Sequence, residues 1–267
     1  MEFLIQRKKV TSKPLYYLDP NPGGSKAVFL LHGLGADSES WLWQMNALTK
    51  AGYRPVAFDL PGFGKTPRPS GIWTIGCAAR SVLDTVEQME IDHLCIAGIS
   101  MGGAVALRFA LEYPKYVDRL ILINTFASLK PQSFQDFGYF LRRFLLVSTG
   151  DRLTQAEVVG ERIFPKENQK ELRQILVEKI LQSDQKVYKE AMTSLGLFQV
   201  MGRLAEIKIP TLVITGGNDT TVPLHNQEAL ANGIKDARHV IIPDGGHGVT
   251  IDHPDEVNAE ILAFLIE

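Results

Sequence analysis

Ser100 stands in the stretch "CIAGISMGGAVALRFA", Cys95 to Ala110, with glycines two residues before it and two after it. The unbroken apolar run up to Ile99 reads as a strand, and the apolar-rich run from about Met101 to Tyr113 reads as a helix. A serine at so abrupt a junction sits in a strained bend, tolerable where Gly98 and Gly102 carry no side chain. Gly103 would let the helix approach the sheet. The helix start adds N–H groups that lack intrahelical partners, and the positive end of the macrodipole, beside the hydroxyl. The pattern is G-x-S-x-G, which presents a serine for nucleophilic attack.

A serine hydroxyl is a weak nucleophile near neutral pH. It needs a base, and the base needs an orienting carboxylate. Of the six histidines, His247 fits best: "PDGGHGVTIDHP" places it in a glycine-rich loop between the last strand and the final helix. His32 precedes Gly-Leu-Gly and is expected to shape that loop. His93, His225, His239 and His253 are expected in surface or capping roles. The carboxylate candidate is Asp219 in "ITGGNDTTVP", directly after an apolar run. Its alternative role is a turn-former or cap, and Asp244 is a competing carboxylate near His247. Asp219 is preferred because it follows a strand at its carboxyl end, as Ser100 and His247 do, so that all three meet at one edge.

These residues need a scaffold, and the chain shows one. The runs 27–32, 54–59, 94–99, 119–124, 211–216 and 238–243 are short and apolar without polar alternation, which reads as strands buried on both faces. Helical patterns lie between them, at about 38–50, 74–90, 101–113, 225–233 and from 254 onward. Such alternation implies a parallel sheet with helices on both sides. The segments "LIQRKKV" (4–10) and "LYYLD" (15–19) read as an antiparallel edge pair. The rhythm breaks between Asn124 and Pro210, where helical patterns at about 133–147, 154–163, 167–181 and 185–200 form an insertion rich in aromatic residues. Insertions of this kind emerge at the carboxyl ends of strands, where ligands bind, so the segment is expected to act as a lid.

The 267 residues suit one large α/β domain with a sizeable core. A hydrophobic share of 45%, a charged share of 22% and a net charge of −2 describe an ordinary water-soluble composition, with no basic patch for nucleic acid. The two cysteines, Cys77 and Cys95, show no metal spacing and read as free buried thiols of a reducing compartment. "MEFLIQRKKV" lacks the apolar core of a signal peptide and no run is long enough for a membrane span. The expected location is cytoplasmic, with no membrane partner.

The order Ser100, Asp219, His247, together with "LLHGLGADSESW" and "FDLPGFGKT", resembles the α/β-hydrolase-fold enzymes, in particular the small capped esterase group, which also resembles enol-lactone hydrolases and cofactor-free haloperoxidases. "FDLPGFGKT" is similar to the family's D-x-x-G-x-G turn, with Thr66 where Ser is usual. The resemblance spans essentially the whole chain. It implies an α/β fold: a doubly wound, mostly parallel eight-stranded sheet with helices on both faces. Residues 1–124 and 206–267 would form the core and 125–205 an inserted helical cap.

The resemblance further implies a mechanism. Ser100 attacks a carbonyl carbon, His247 takes its proton, and Asp219 holds the ring. Backbone N–H groups of Leu34 and Met101 form the oxyanion hole, and neither metal nor organic cofactor is called for. The expected substrate is a small to medium hydrophobic carboxylic ester or lactone, with Phe126 and Val222 as pocket-lining candidates. The alternatives are a carbon–carbon bond hydrolase of ring-cleavage products, a perhydrolase of the haloperoxidase type, and a hydrolase-like small-molecule receptor. Dehalogenases and epoxide hydrolases would need Asp at position 100.

Overall fold

The computed structural model describes residues 15–129, 137–138, 141–142, 145–147 and 150–267. Seven strands, not the expected eight, form one sheet among them: β1 (Tyr17–Leu18), β2 (Ala27–Leu31), β3 (Arg54–Phe58), β4 (Leu94–Ile99), β5 (Val117–Ile123), β6 (Thr211–Gly216) and β7 (Arg238–Ile242). Their spatial order is β1-β3-β2-β4-β5-β6-β7, and every pairing is parallel except β1 with β3. The six long runs read from the sequence are six of these strands, to within two residues. The expected edge pair differs. Tyr17 and Leu18 pair with Phe58 and Ala57 of β3, and the segment 4–10 lies outside the described residues.

The central strands are buried along their whole length, as strands covered on both faces must be. Side chains alternate between two cores. Phe29 and Leu31 of β2 join α2 (Ile75–Gln88), α3 (Met101–Glu112) and α7 (Leu224–Gly233), whereas Val28 and Leu30 face α1 (Leu42–Lys50) and α9 (Pro254–Ile266). The expected helix over 38–50 begins as a 3-10 turn, Ser38–Trp41, capped by the Asp37 carboxylate on the Glu39 N–H at 3.1 Å. A further short helix, α8 (Val249–Asp252), follows His247.

Between β5 and β6 the chain forms α4 (Arg152–Ile163), α5 (Lys170–Gln182) and α6 (Gln185–Leu197), close to three of the four expected segments. Asp151 caps α4 and Asp184 caps α6 through their side chains, which satisfies amides that would otherwise be unpaired. Residues 137–138, 141–142 and 145–147 are helical, and the rest of the expected helix at 133–147 lies outside the described residues. Among the described residues no helix is long and apolar enough to cross a membrane. Cys95 is buried and Cys77 half-buried. Burial pushes the Cys95 thiol up to about 12, so that this sulfur is inert.

Candidate active site

Ser100 occupies the step from β4 into α3 with φ 54° and ψ −115°. A non-glycine residue adopts this conformation only when its surroundings force it. They do so by close approach. A Cβ at Gly98 would lie 2.2 Å from the Gly102 carbonyl oxygen, and one at Gly102 would lie 2.0 Å from that of Leu31. The Ser100 N–H donates to Ile123 (3.0 Å), while its carbonyl accepts from the Thr125 hydroxyl (2.7 Å) and from the Ala104 N–H (3.1 Å). The bend is therefore tied on both sides to the end of β5 and the residues just after it.

Asp219 and His247 arrive on the loops that follow β6 and β7. His247 Nδ1 lies 2.8 Å from Asp219 Oδ2, and both residues are buried. Asp219 Oδ1 also accepts from the backbone of Thr221 (2.7 Å) and Val222 (3.0 Å), and Oδ2 accepts from the Gln227 amide (3.2 Å). With three N–H donors already turned toward its oxygens Asp219 is held as an acceptor, so Nδ1 of a neutral His247 carries the proton and Nε2 is left with its lone pair. Asp244 is exposed, and its backbone carbonyl takes a hydrogen bond from Lys166 (3.3 Å).

Ser100 and His247 line one cavity of about 90 Å³ together with Leu34, Thr221 and a wall of Val159, Ile163, Phe164 and Leu176 from the insert. A Cβ on Gly33 would stand 3.7 Å from that of Ser100, which sets the His-Gly loop against the serine. His32 shapes this loop, as the sequence suggests. The Leu60 N–H donates to its Nε2 (3.0 Å), so its Nδ1–H donates to the Gly33 carbonyl (2.7 Å). The trans peptide turns the Leu34 N–H the opposite way. Burial holds the His32 pKa below its usual value, against a backbone hydrogen bond and the charges of Asp59 and Asp37. The Met101 N–H opens α3 and has no intrahelical partner.

Phe126 and Val222 do not line this cavity. Phe126 is buried against Phe198, with ring centroids 6.3 Å apart, and Val222 is buried while its N–H serves Asp219. Their place on the wall is taken by the insert residues named above.

Two residues that the sequence did not single out hold the arrangement. Gln227 is fully buried and bridges Asp219 to the Val222 carbonyl (2.9 Å). Asn124 is fully buried at φ 43°. Its side-chain oxygen accepts from the Gly216 N–H (2.7 Å), and its amide donates to the carbonyls of Gly246 (2.8 Å) and His247 (2.9 Å). Asn124 thus joins the ends of β5, β6 and the His247 loop. The one available signal was a polar residue tolerant of left-handed backbone at the end of an apolar strand.

The insert is fastened to all three loops. Arg162 donates to the Thr220 carbonyl beside Asp219, Lys166 reaches Asp244 before His247, and Lys179 bridges Asp37 (2.5 Å) and Glu39 (2.6 Å) beyond Leu34.

This chain matches the alpha/beta hydrolase fold family model over residues 26–254 and belongs to that family. It is 31% identical over 264 residues to a 2-hydroxy-6-oxononadienedioate/2-hydroxy-6-oxononatrienedioate hydrolase of Comamonas testosteroni, covering 91% of this chain and 88% of that one. It is 30% identical to a Variovorax paradoxus protein named "Putative carbamate hydrolase RutD", covering 94% and 96%. Among solved structures it is similar to the enol-lactonase from Burkholderia xenovorans LB400, with a TM-score of 0.86, 25% identity, and coverage of 95% and 96%.

Proposed function

We propose that the protein is a serine hydrolase cleaving a small to medium, uncharged hydrophobic carboxylic ester or lactone through an acyl-enzyme. The observation that carries this reading is the buried Asp219–His247 hydrogen bond opening onto the same apolar cavity as Ser100. His247 Nε2 takes the Ser100 hydroxyl proton as the oxygen attacks the carbonyl carbon. The oxyanion meets the N–H groups of Leu34 and Met101, each worth roughly 10²–10³ in rate. His247 then hands its proton to the departing alcohol, and water, deprotonated in turn by His247, releases the acid. Residues 125–205 act as the cap over this site, and the free thiols suit a cytoplasmic location.

The ester reading is preferred to carbon–carbon bond hydrolysis of ring-cleavage products because those substrates carry carboxylates. Among the described residues, none lining the cavity is cationic, and a buried carboxylate without a partner is strongly disfavoured. A lactone, as in the name of the similar Burkholderia structure, is a cyclic ester and meets the same groups.

The test is a fluorophosphonate probe with a panel of p-nitrophenyl esters and a dienoic ketone. The expected result is single labelling on the Ser100 peptide, lost in Ser100→Ala together with ester turnover. Turnover of the dienoic ketone above the esters would favour the carbon–carbon reading. Binding without any turnover would favour a receptor.

A further inference from the structure

A second apolar space adjoins the cavity around Ser100. It holds about 310 Å³ and lies between α5 of the insert and the start of α1. Five residues, Ala36, Ser40, Phe164, Leu176 and Ile251, line both spaces. The two spaces therefore adjoin along these five residues. Beyond them stand Leu42, Trp43 and Ile175, which are 55%, 57% and 48% exposed. Three large apolar side chains converging half-solvated on one cleft are unusual for a surface that covers nothing.

The space at Ser100 is small. Its volume of about 90 Å³ is less than a third of the 310 Å³ of the neighbouring space, so the shorter arm of a substrate belongs in it. The remainder of a larger substrate must leave it, and the adjoining cleft lies beside the shared lining residues. The order of events assigns the two halves. The alcohol must depart before water can reach the acylated serine. A bulky acyl arm in the solvent-facing cleft would obstruct both movements, whereas an alcohol there leaves directly and opens the path for water. The rim also selects. Among the described residues its single ammonium, Lys179, is shared by Asp37 and Glu39, so the three together carry excess negative charge and repel an anionic arm.

We infer that the cleft of Leu42, Trp43, Ile175 and Leu172 is the leaving-group site, taking the uncharged alkyl or aryl alcohol of an ester whose short acyl group fills the cavity at Ser100. This rests on the serine-hydrolase reading above for its chemistry, but the binding of an apolar alcohol to the cleft is independent of turnover.

The experiment therefore has two arms. In the first, hexyl acetate is compared with its isomer ethyl hexanoate. Hexyl acetate should have the higher kcat/KM by at least tenfold, and alkyl acetates should rise up to about fourfold per methylene from ethyl to hexyl. In Trp43→Ala and Ile175→Ala the ratio of kcat/KM for hexyl over ethyl acetate should fall at least fivefold. A preference for ethyl hexanoate, or an unchanged ratio in both variants, overturns the assignment. In the second arm, Ser100→Ala is titrated with 1-hexanol and tryptophan emission is followed. Trp41 and Trp73 are fully buried, so Trp43 is the responsive ring. Its emission should shift to the blue, with no shift in the Ser100→Ala, Trp43→Phe double variant. An unaltered spectrum overturns the site. A shift without Ser100-dependent turnover of any ester leaves the cleft as an apolar binding site and rejects the hydrolase reading along with the leaving-group role.

Discussion

Asp219 meets His247 at 2.8 Å through the same carboxylate oxygen that accepts from Gln227, while its other oxygen is held by two consecutive backbone amides. The carboxylate therefore cannot rotate without breaking several bonds at once, and the imidazole inherits its orientation. Asp219→Asn should keep the fold and lower kcat by roughly 10⁴, because a carboxamide can present its N–H to the ring and select the wrong tautomer. Asp244→Asn, at an exposed side chain, should leave kcat unchanged. Steady-state kinetics on one activated ester decides, and the reverse pattern would mean that the acid has been misassigned.

Asn124 offers a second test, of positioning. Asn124→Ala removes three buried hydrogen bonds, at roughly 1 kcal/mol each, and leaves carbonyls unsatisfied, so a loss of about 3 kcal/mol or more is expected in urea unfolding. Asn124→Asp should fare no better, since it would turn a carboxylate toward two carbonyl oxygens. Native-like stability in both variants would show that the bridge is dispensable.

The strained bend at Ser100 makes a prediction about stability alone. Ser100→Gly should be inactive yet more stable than Ser100→Ala by about 1 kcal/mol or more, because glycine adopts φ 54°, ψ −115° without the penalty of a Cβ. Melting temperatures of the two inactive proteins measure the strain directly. Equal values would place it below detection.

His32 couples stability to pH. Its folded-state pKa lies below the ordinary histidine value of 6.5 because of burial, so the unfolded chain takes up a proton first as the pH falls. Its contribution is whole above about 6.5 and is lost as the pH drops through the lowered folded value, with a slope approaching about 1.4 kcal/mol per pH unit for one proton. His239, also lowered by burial, acts in the same direction. Urea midpoints from pH 8 to 5 should fall accordingly, and more shallowly in His32→Gln. Parallel curves would exclude His32 as the source.

What the sequence disclosed follows from what its signals encode. Residues 94–99 are apolar throughout, and 211–216 are so apart from two small threonines, because both faces of those strands are covered, and that burial is written in consecutive letters. Ser100, Asp219 and His247 each follow such a run, so their meeting at one edge could be inferred. Asn124 and Gln227 could not be read in this way. Asn124 acts on carbonyls more than a hundred residues away, and nothing beside it in the chain hints at them. Phe126 misled for the opposite reason. Its position after β5 suggested the site, but the chain turns it into the core against Phe198, and adjacency in sequence carries no information about the direction of a side chain.

The fastening of the insert to the loops of Leu34, Asp219 and His247 bears on how specificity could be exchanged between relatives. An insert that only roofed the sheet would be a replaceable part, free to vary while the chemistry beneath stayed constant. Here Arg162 and Lys166 end beside Asp219 and His247, and Lys179 ends on Asp37, just beyond Leu34. A foreign segment grafted between β5 and β6 would have to reproduce those three anchorages as well as a new pocket shape. On the serine-hydrolase reading proposed above, recognition and turnover are not separable modules.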